Sequence, residues 1–330
     1  MNRYLIQLAL ISSMKLLACS VVNAQQVDFS KVSVPEETGA EFLQISKSSD
    51  YVAVPDVKRT GQTVSWLTNK ILSISPDGNT LAYLSVRNDV SDIFLKDINN
   101  QGSSVQRTNR GCVFDFSFSP DGKEIVFSEK RDKDCQIFST DASKGYVCRQ
   151  ITNSNQDYSP IYSKDMKRIF FCRSEQRGIS IWGFDIENKF LSNYFNGMNP
   201  FPISNESIII TRINSEGRGE IWKVNFKTGV EECIVSDSKH SFTSPSVSPD
   251  GEWILMDGDG FITMPNGKIY PNVDIYVSRI DGSQLTQLTY HAADDLSPIW
   301  SADGKNIYFI SRRGDSNGIG NIWKMLFNNK

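Results

Sequence analysis

The string Ser-Pro-Asp-Gly occurs at residues 75–78, 119–122 and 248–251, and worn versions of it begin at Ser163, Ser204 and Ser301. The six serines are 44, 44, 41, 44 and 53 residues apart. A second marker keeps phase with the first, an Ile followed by an aromatic residue: Ile93-Phe94, Ile137-Phe138, Ile181-Trp182, Ile221-Trp222, Ile275-Tyr276 and Ile322-Trp323. Two markers in phase define a repeat, and a unit of this length cannot bury its apolar face alone but must stack on copies of itself.

Within a unit the pattern is that of short strands. In the second copy VFDFSFS alternates apolar and polar residues, EIVFSE is apolar and β-branched, QIFSTD follows, and YVCRQIT closes after a Lys144-Gly145 turn. Proline presets φ at the second turn position, Asp bonds the local backbone and Gly takes the exit conformation, so the quartet joins the first strand to the second. Four antiparallel strands per unit make a propeller blade. The sequence thus predicts an all-β fold, a six-bladed β-propeller of four-stranded antiparallel blades over residues 61–330, with the Ile-aromatic pairs packing between blades.

Closure is also addressed by the sequence. The last unit stops at Lys330 just after its third strand, NIWKMLF, and the segment near residues 62–68 is expected to complete blade six. Such strand pairing removes two sheet edges that would invite aggregation. Residues 41–56, EFLQISKSSDYVAVPD, read as strand-like without an assigned place, which leaves a partial seventh blade open.

Residues 1–24 carry a short basic start, an apolar run and small residues at Val22 and Ala24, the pattern of a secretory signal peptide. Leu16-Leu17-Ala18-Cys19 offers the alternative of a lipoprotein signal ending before Cys19. Residues 25–60 form an N-terminal extension, partly strand. The expected location is periplasmic or secreted, or membrane-anchored through Cys19, with no transmembrane segment. Loss of Arg3 and Lys15 with the signal takes the net charge from -3 to -5, and a mildly acidic chain argues against nucleic acid as a partner. Cys112, Cys135, Cys148, Cys172 and Cys233 lack the spacing of a zinc site and read as small buried side chains, with a bridge between Cys135 and Cys148 left open. A monomer is expected.

Repeats such as WSADGKNIYFISRRGDSNGIGNIWKM resemble the TolB-type propeller repeat, over about residues 61–330. The resemblance is specific for fold and weak for function, because related blades occur in periplasmic scaffold proteins, peptidase propellers and sugar-active enzymes. TolB itself carries an N-terminal α/β domain, for which residues 25–60 are too few, so its role in the Tol-Pal envelope system does not carry over with the blades.

Signs of catalysis are sparse. His240 and His291 are the two histidines of the chain, too few for the metal site of the propeller-fold oligogalacturonate lyases. Gly314-Asp315-Ser316-Asn317-Gly318 matches G-x-S-x-G but lies between two predicted strands, where a nucleophile elbow needs a following helix. Asp257-Gly258-Asp259-Gly260 hints at calcium, yet Phe261 stands where another oxygen ligand is wanted. Neither a catalytic residue nor a resident cofactor is predicted.

The interrupted phase points to a binding face instead. The 53-residue step reflects a long second loop in blade five, from Asp257 to Asn272. An enlarged loop in blade six, from Arg312 to Asn321, and the connection from Tyr290 to Asp295 emerge on the same face, opposite the Ser-Pro-Asp-Gly turns. Candidate ligand or partner residues are Asp257, Asp259, Tyr270, Asp294, Asp295, Arg312, Arg313 and Asp315, with Phe261 as a further apolar surface. The expected function is a non-catalytic scaffold of the bacterial cell envelope recognising a protein or peptide. The alternative is a carbohydrate-binding or carbohydrate-active propeller with carboxylates at the channel mouth.

Overall fold

Each repeat folds as one sheet. This computed structural model describes residues 42–54, 58–60, 63–65, 70–99, 102–132, 134–153, 156–263, 267, 269–313 and 320–327, with backbone alone for a few of them, Phe261 and Tyr270 included. Strand β1 (Phe42–Gln44) comes first, followed by a hairpin of β2 (Lys58–Thr60) and β3 (Thr63–Ser65). Blade one holds β4 (Leu72–Ile74), β5 (Thr80–Arg87), β6 (Val90–Asp97) and β7 (Val105–Gln106). Blade two holds β8 (Val113–Phe118), β9 (Glu124–Arg131), β10 (Asp134–Asp141) and β11 (Cys148–Gln150). Blade three holds β12 (Asp157–Tyr162), β13 (Arg168–Glu175), β14 (Gly178–Asp185) and β15 (Leu191–Asn196). Blade four holds β16 (Met198–Pro202), β17 (Ser207–Ile213), β18 (Gly219–Asn225) and β19 (Glu231–Val235). Blade five holds β20 (Phe242–Val247), β21 (Trp253–Thr263), β22 (Ile269–Arg279) and β23 (Thr286–Gln287). Blade six holds β24 (Asp295–Trp300), β25 (Asn306–Ser311) and β26 (Asn321–Leu326), and β1 supplies its fourth strand. The first strands β4, β8, β12, β16, β20 and β24 touch one another in a closed ring around the central channel.

The turn quartets behave alike in the structure. In blade one the Ser75 hydroxyl donates to Asp77 and accepts the Thr80 N–H at 3.0 Å, while the Gly78 N–H reaches the Ser75 carbonyl at 2.9 Å. The same set recurs at Ser119, Ser163, Ser248 and Ser301. The exit residue is left-handed, with φ of 76° at Gly78 and 71° at Gly122, and Met166 occupies that conformation in blade three at φ 57°. The six marker isoleucines are all fully buried. Burial of one such side chain stabilises by roughly 1.5–3 kcal/mol, which is why the marker persists where the turn quartet has worn.

A third marker sits in the short fourth strands. Gln106-Arg107-Thr108, Gln150-Ile151-Thr152 and Gln287-Leu288-Thr289 each place a threonine hydroxyl to accept the N–H of that blade's marker isoleucine, at 3.0, 3.1 and 2.9 Å. The glutamine amide donates to the threonine carbonyl in each case. Gln44-Ile45-Ser46 repeats the arrangement in blade six, where Ser46 Oγ accepts the Ile322 N–H at 2.8 Å and the Gln44 amide reaches the Ser46 carbonyl at 2.9 Å.

The closing strand is therefore β1, paired through Phe42↔Met325 and Gln44↔Trp323, and not the segment near residues 62–68. Residues 63–65 pair instead with 58–60. In that place β1 gives Ile322 the hydroxyl acceptor that the fourth strands of blades one, two and five give theirs, and Phe42 packs edge-on against Phe309 at 6.1 Å. No partial seventh blade arises among the described residues. The five described cysteines are unbridged.

Candidate functional site

The long blade-five segment is a strand hairpin, not a loop. Ladder pairing runs from Trp253↔Arg279 to Thr263↔Ile269, so the Asp-Gly-Asp-Gly quartet lies extended within β21. Aromatic and β-branched residues on both arms favour this continuation. A Cβ on Gly258 would stand 2.3 Å from the Tyr276 ring, and one on Gly260 would stand 2.6 Å from an Asp274 carboxylate oxygen, so close packing accounts for both glycines.

Around the start of β24 the structure gathers Asp257, Asp294, Asp295 and Arg313. Asp257 accepts the Ser297 N–H at 3.0 Å and Asp294 accepts the Val273 N–H at 3.0 Å. Asp295 forms a buried ion pair with Arg313, whose guanidinium lies 4.2 Å over the Phe42 ring. Asp259 stands apart from them, accepting the Ser241 N–H at 2.6 Å; burial raises its pKa, and that bond with the charges of His240 and Arg218 opposes the rise. Arg312 is exposed. Tyr270 is described by its backbone alone, opposite Ile262, and Asp315 lies outside the described residues, as does the G-x-S-x-G stretch. The described carboxylates of this set thus bond to the protein's own backbone and arginine.

Ser297 belongs to a recurrent bulge. In blades three to six the register of the first strand slips around a left-handed Ser or Asn followed by Pro: Ser159-Pro160, Asn199-Pro200, Ser244-Pro245 and Ser297-Pro298. Proline has no N–H to give the ladder, so a bulge is where a strand can hold it. Asp115 accepts the Ser159 N–H at 2.8 Å as Asp257 accepts that of Ser297, tying one blade to the next. Burial pushes the Asp115 carboxyl up to about 6 against the hydrogen bonds of Ser128 and Ser159.

At the other end of the ring, the first strands and the turns that follow them enclose a cavity of about 480 Å³. Leu72, Ile74, Phe118, Ile161, Phe201 and Ile299 form much of its wall, and Pro76, Pro120 and Pro249 of the turn quartets line its rim. Five of the seven serines there donate to the protein: Ser75, Ser119, Ser248 and Ser301 to their turn aspartates, and Ser117 to the Pro160 carbonyl at 2.9 Å, while Ser73 Oγ accepts the Phe118 N–H at 3.3 Å. Two lysines complete the lining. Lys70 Nζ lies 4.6 Å and Lys164 Nζ 5.8 Å from the centre of the Phe201 ring. Burial and the charge of Lys164 bring the Lys70 ammonium down to about 8, with Asp115 opposing, and burial lowers Lys164 as well.

Sequence reasoning missed this end because it assigned the quartets to turn chemistry alone. The available signal was Lys164, which replaces the proline of the quartet in blade three. Lys70 gives no comparable signal, since only ring closure brings it to Phe201.

Comparison with known proteins gives the same architecture. The family profile described as TolB beta propeller domain matches residues 62–260. No curated protein matches the chain in sequence. Among solved structures, one assigned as TolB from Agrobacterium tumefaciens is similar at 19% identity and TM-score 0.59, over 81% of this chain and 94% of that one. TolB from Acinetobacter baumannii is similar at 20% identity and TM-score 0.55, over 70% of this chain and 56% of that one. An oligogalacturonate lyase from Vibrio parahaemolyticus is similar at 13% identity and TM-score 0.55, over 88% of this chain and 97% of that one. Likeness at such identities is likeness of fold, and fold alone does not fix function. The profile, in contrast, spans more than half of the sequence, and the chain belongs to the TolB beta propeller domain family.

Proposed function

We propose that this chain is an exported, non-catalytic binding propeller of the bacterial cell envelope whose partner is a protein or peptide. The observation that carries the reading is the channel mouth, a preformed concavity to which all six first strands contribute. Its volume falls in the ~300–1,000 Å³ range of sites that enclose a small ligand or a few side chains of a partner. Chemistry on a glycosidic bond needs two carboxylates facing the substrate. Asp257, Asp294 and Asp295 each hold a backbone N–H or an arginine of the fold instead.

The test is capture from an envelope extract by the immobilised mature chain, followed by competition. The partner is expected to be retained by the wild type and by an Arg312→Ala variant, and to be weakened by Phe201→Ala, which opens one wall of the mouth. Purified protein is expected to be silent on a glycan array and toward polysaccharide hydrolysis. Glycan binding or turnover without a protein partner would overturn the reading.

A further inference from the structure

The fold pairs the cations it buries most deeply. Lys96 meets Asp50 at 3.1 Å, Arg173 meets Asp157 at 2.6 Å, and Arg313 meets Asp295. At the mouth half-buried Lys70 and exposed Lys164 are arranged differently: they converge on one aromatic ring, and neither forms an ion pair among the described residues. Two ammonium groups near one another repel and lose hydration, an arrangement that an anion placed between them relieves.

Resting on the binding reading above, we propose that the mouth holds the C-terminal carboxylate of a peptide between Lys70 and Lys164, with Phe201 against the adjoining apolar side chain. Lys164 is exposed at the rim and Lys70 sits deeper, so a chain end entering from solvent meets one ammonium and then the other. A carboxylate linked to an apolar group fits this lining better than a free phosphate. Phosphate is held by several donors, whereas five of the seven serine hydroxyls here are spent on Asp77, Asp121, Asp250, Asp303 and Pro160, leaving two ammonium groups and the Ser73 and Ser246 hydroxyls among apolar walls. The charged and titratable groups that act on Lys70 are Lys164, which disfavours its protonation, and Asp115, which favours it.

The experiment titrates the full mature chain with a pool of N-acetylated tetrapeptides ending in Leu, Ile, Val or Phe, as free acids and as C-terminal amides, and with inorganic phosphate. Calorimetry gives affinity, and the lysine ε-amine resonances report the site. The free acids are expected to bind at least tenfold more tightly than the amides and to shift the Lys70 and Lys164 signals. Lys70→Gln and Lys164→Gln, checked for unchanged melting, should each reduce that preference below threefold. Affinity for the acids should fall as pH rises through about 8, where Lys70 loses its proton. Equal binding of acids and amides, or absence of binding, overturns the proposal, and so does phosphate binding as tightly as the free acids. If Lys70→Gln leaves capture of the envelope partner intact, the carboxylate site fails while the binding reading stands.

Discussion

The carboxylate of Asp50 and the ammonium of Lys96 form a 3.1 Å ion pair with both side chains almost wholly buried. Asp50 also accepts the Lys47 N–H at 2.8 Å and the Ser104 hydroxyl at 2.9 Å, and its carbonyl accepts the Ser85 hydroxyl at 2.7 Å. Val52 then bridges Ser85 of blade one and Gly320 beside blade six. Residues 42–54 thereby fasten the last blade to the first. Asp50→Asn or Lys96→Met leaves one group buried without its partner, at an expected cost of about 3–5 kcal/mol. Urea unfolding measures it, and the double variant should recover part of the loss.

The same pair sets a pH dependence. Burial alone would raise the Asp50 carboxyl, but the bonds from Lys47, Lys96 and Ser104 and the charge of Lys96 hold it below its ordinary value of 3.8. A carboxyl depressed in the folded state contributes stability that is present above the unfolded pKa and is lost as pH falls through the folded one. The stability difference between wild type and Asp50→Asn should therefore hold steady from neutral pH down to about pH 4 and shrink below it. A difference that grows on acidification would refute this assignment.

Closure of blade six can be tested at its backbone. Ser46→Ala removes the acceptor for the buried Ile322 N–H, and an unsatisfied buried donor costs about 1–3 kcal/mol. Hydrogen exchange at Ile322 should accelerate with it, while exchange at Ile93, capped by Thr108, should not.

Met166 offers a gain. It occupies the left-handed exit of its turn at φ 57°, where the intact copies place glycine. A side chain in that region costs roughly 1–2 kcal/mol, so Met166→Gly should stabilise the fold by about the lower figure, seen as a higher denaturation midpoint. A lower midpoint would mean that packing of the methionine outweighs the strain.

Blade number, strand order and turn positions were legible because their determinants are local: a turn quartet and an isoleucine buried in every copy. The closing strand was misplaced because β1 carries neither of those markers. Its signature was Gln44-Ile45-Ser46, which matches Gln106-Arg107-Thr108 once the hydroxyl is seen to cap the marker isoleucine. The candidate carboxylates could be found by type, but their partners could not. Ser297 meets Asp257 only through packing of blade six on blade five, and Lys70 meets Phe201 only when the ring closes.

The most direct measurement of the binding reading is photocrosslinking in envelope extract, with a benzophenone side chain placed at Ile74 in the channel mouth or at Val147, which is 84% exposed elsewhere on the surface. The account predicts one saturable adduct from Ile74, identified by mass spectrometry as protein or peptide, and none from Val147. Equal adducts from both positions, or an Ile74 adduct that is glycan alone, would contradict it.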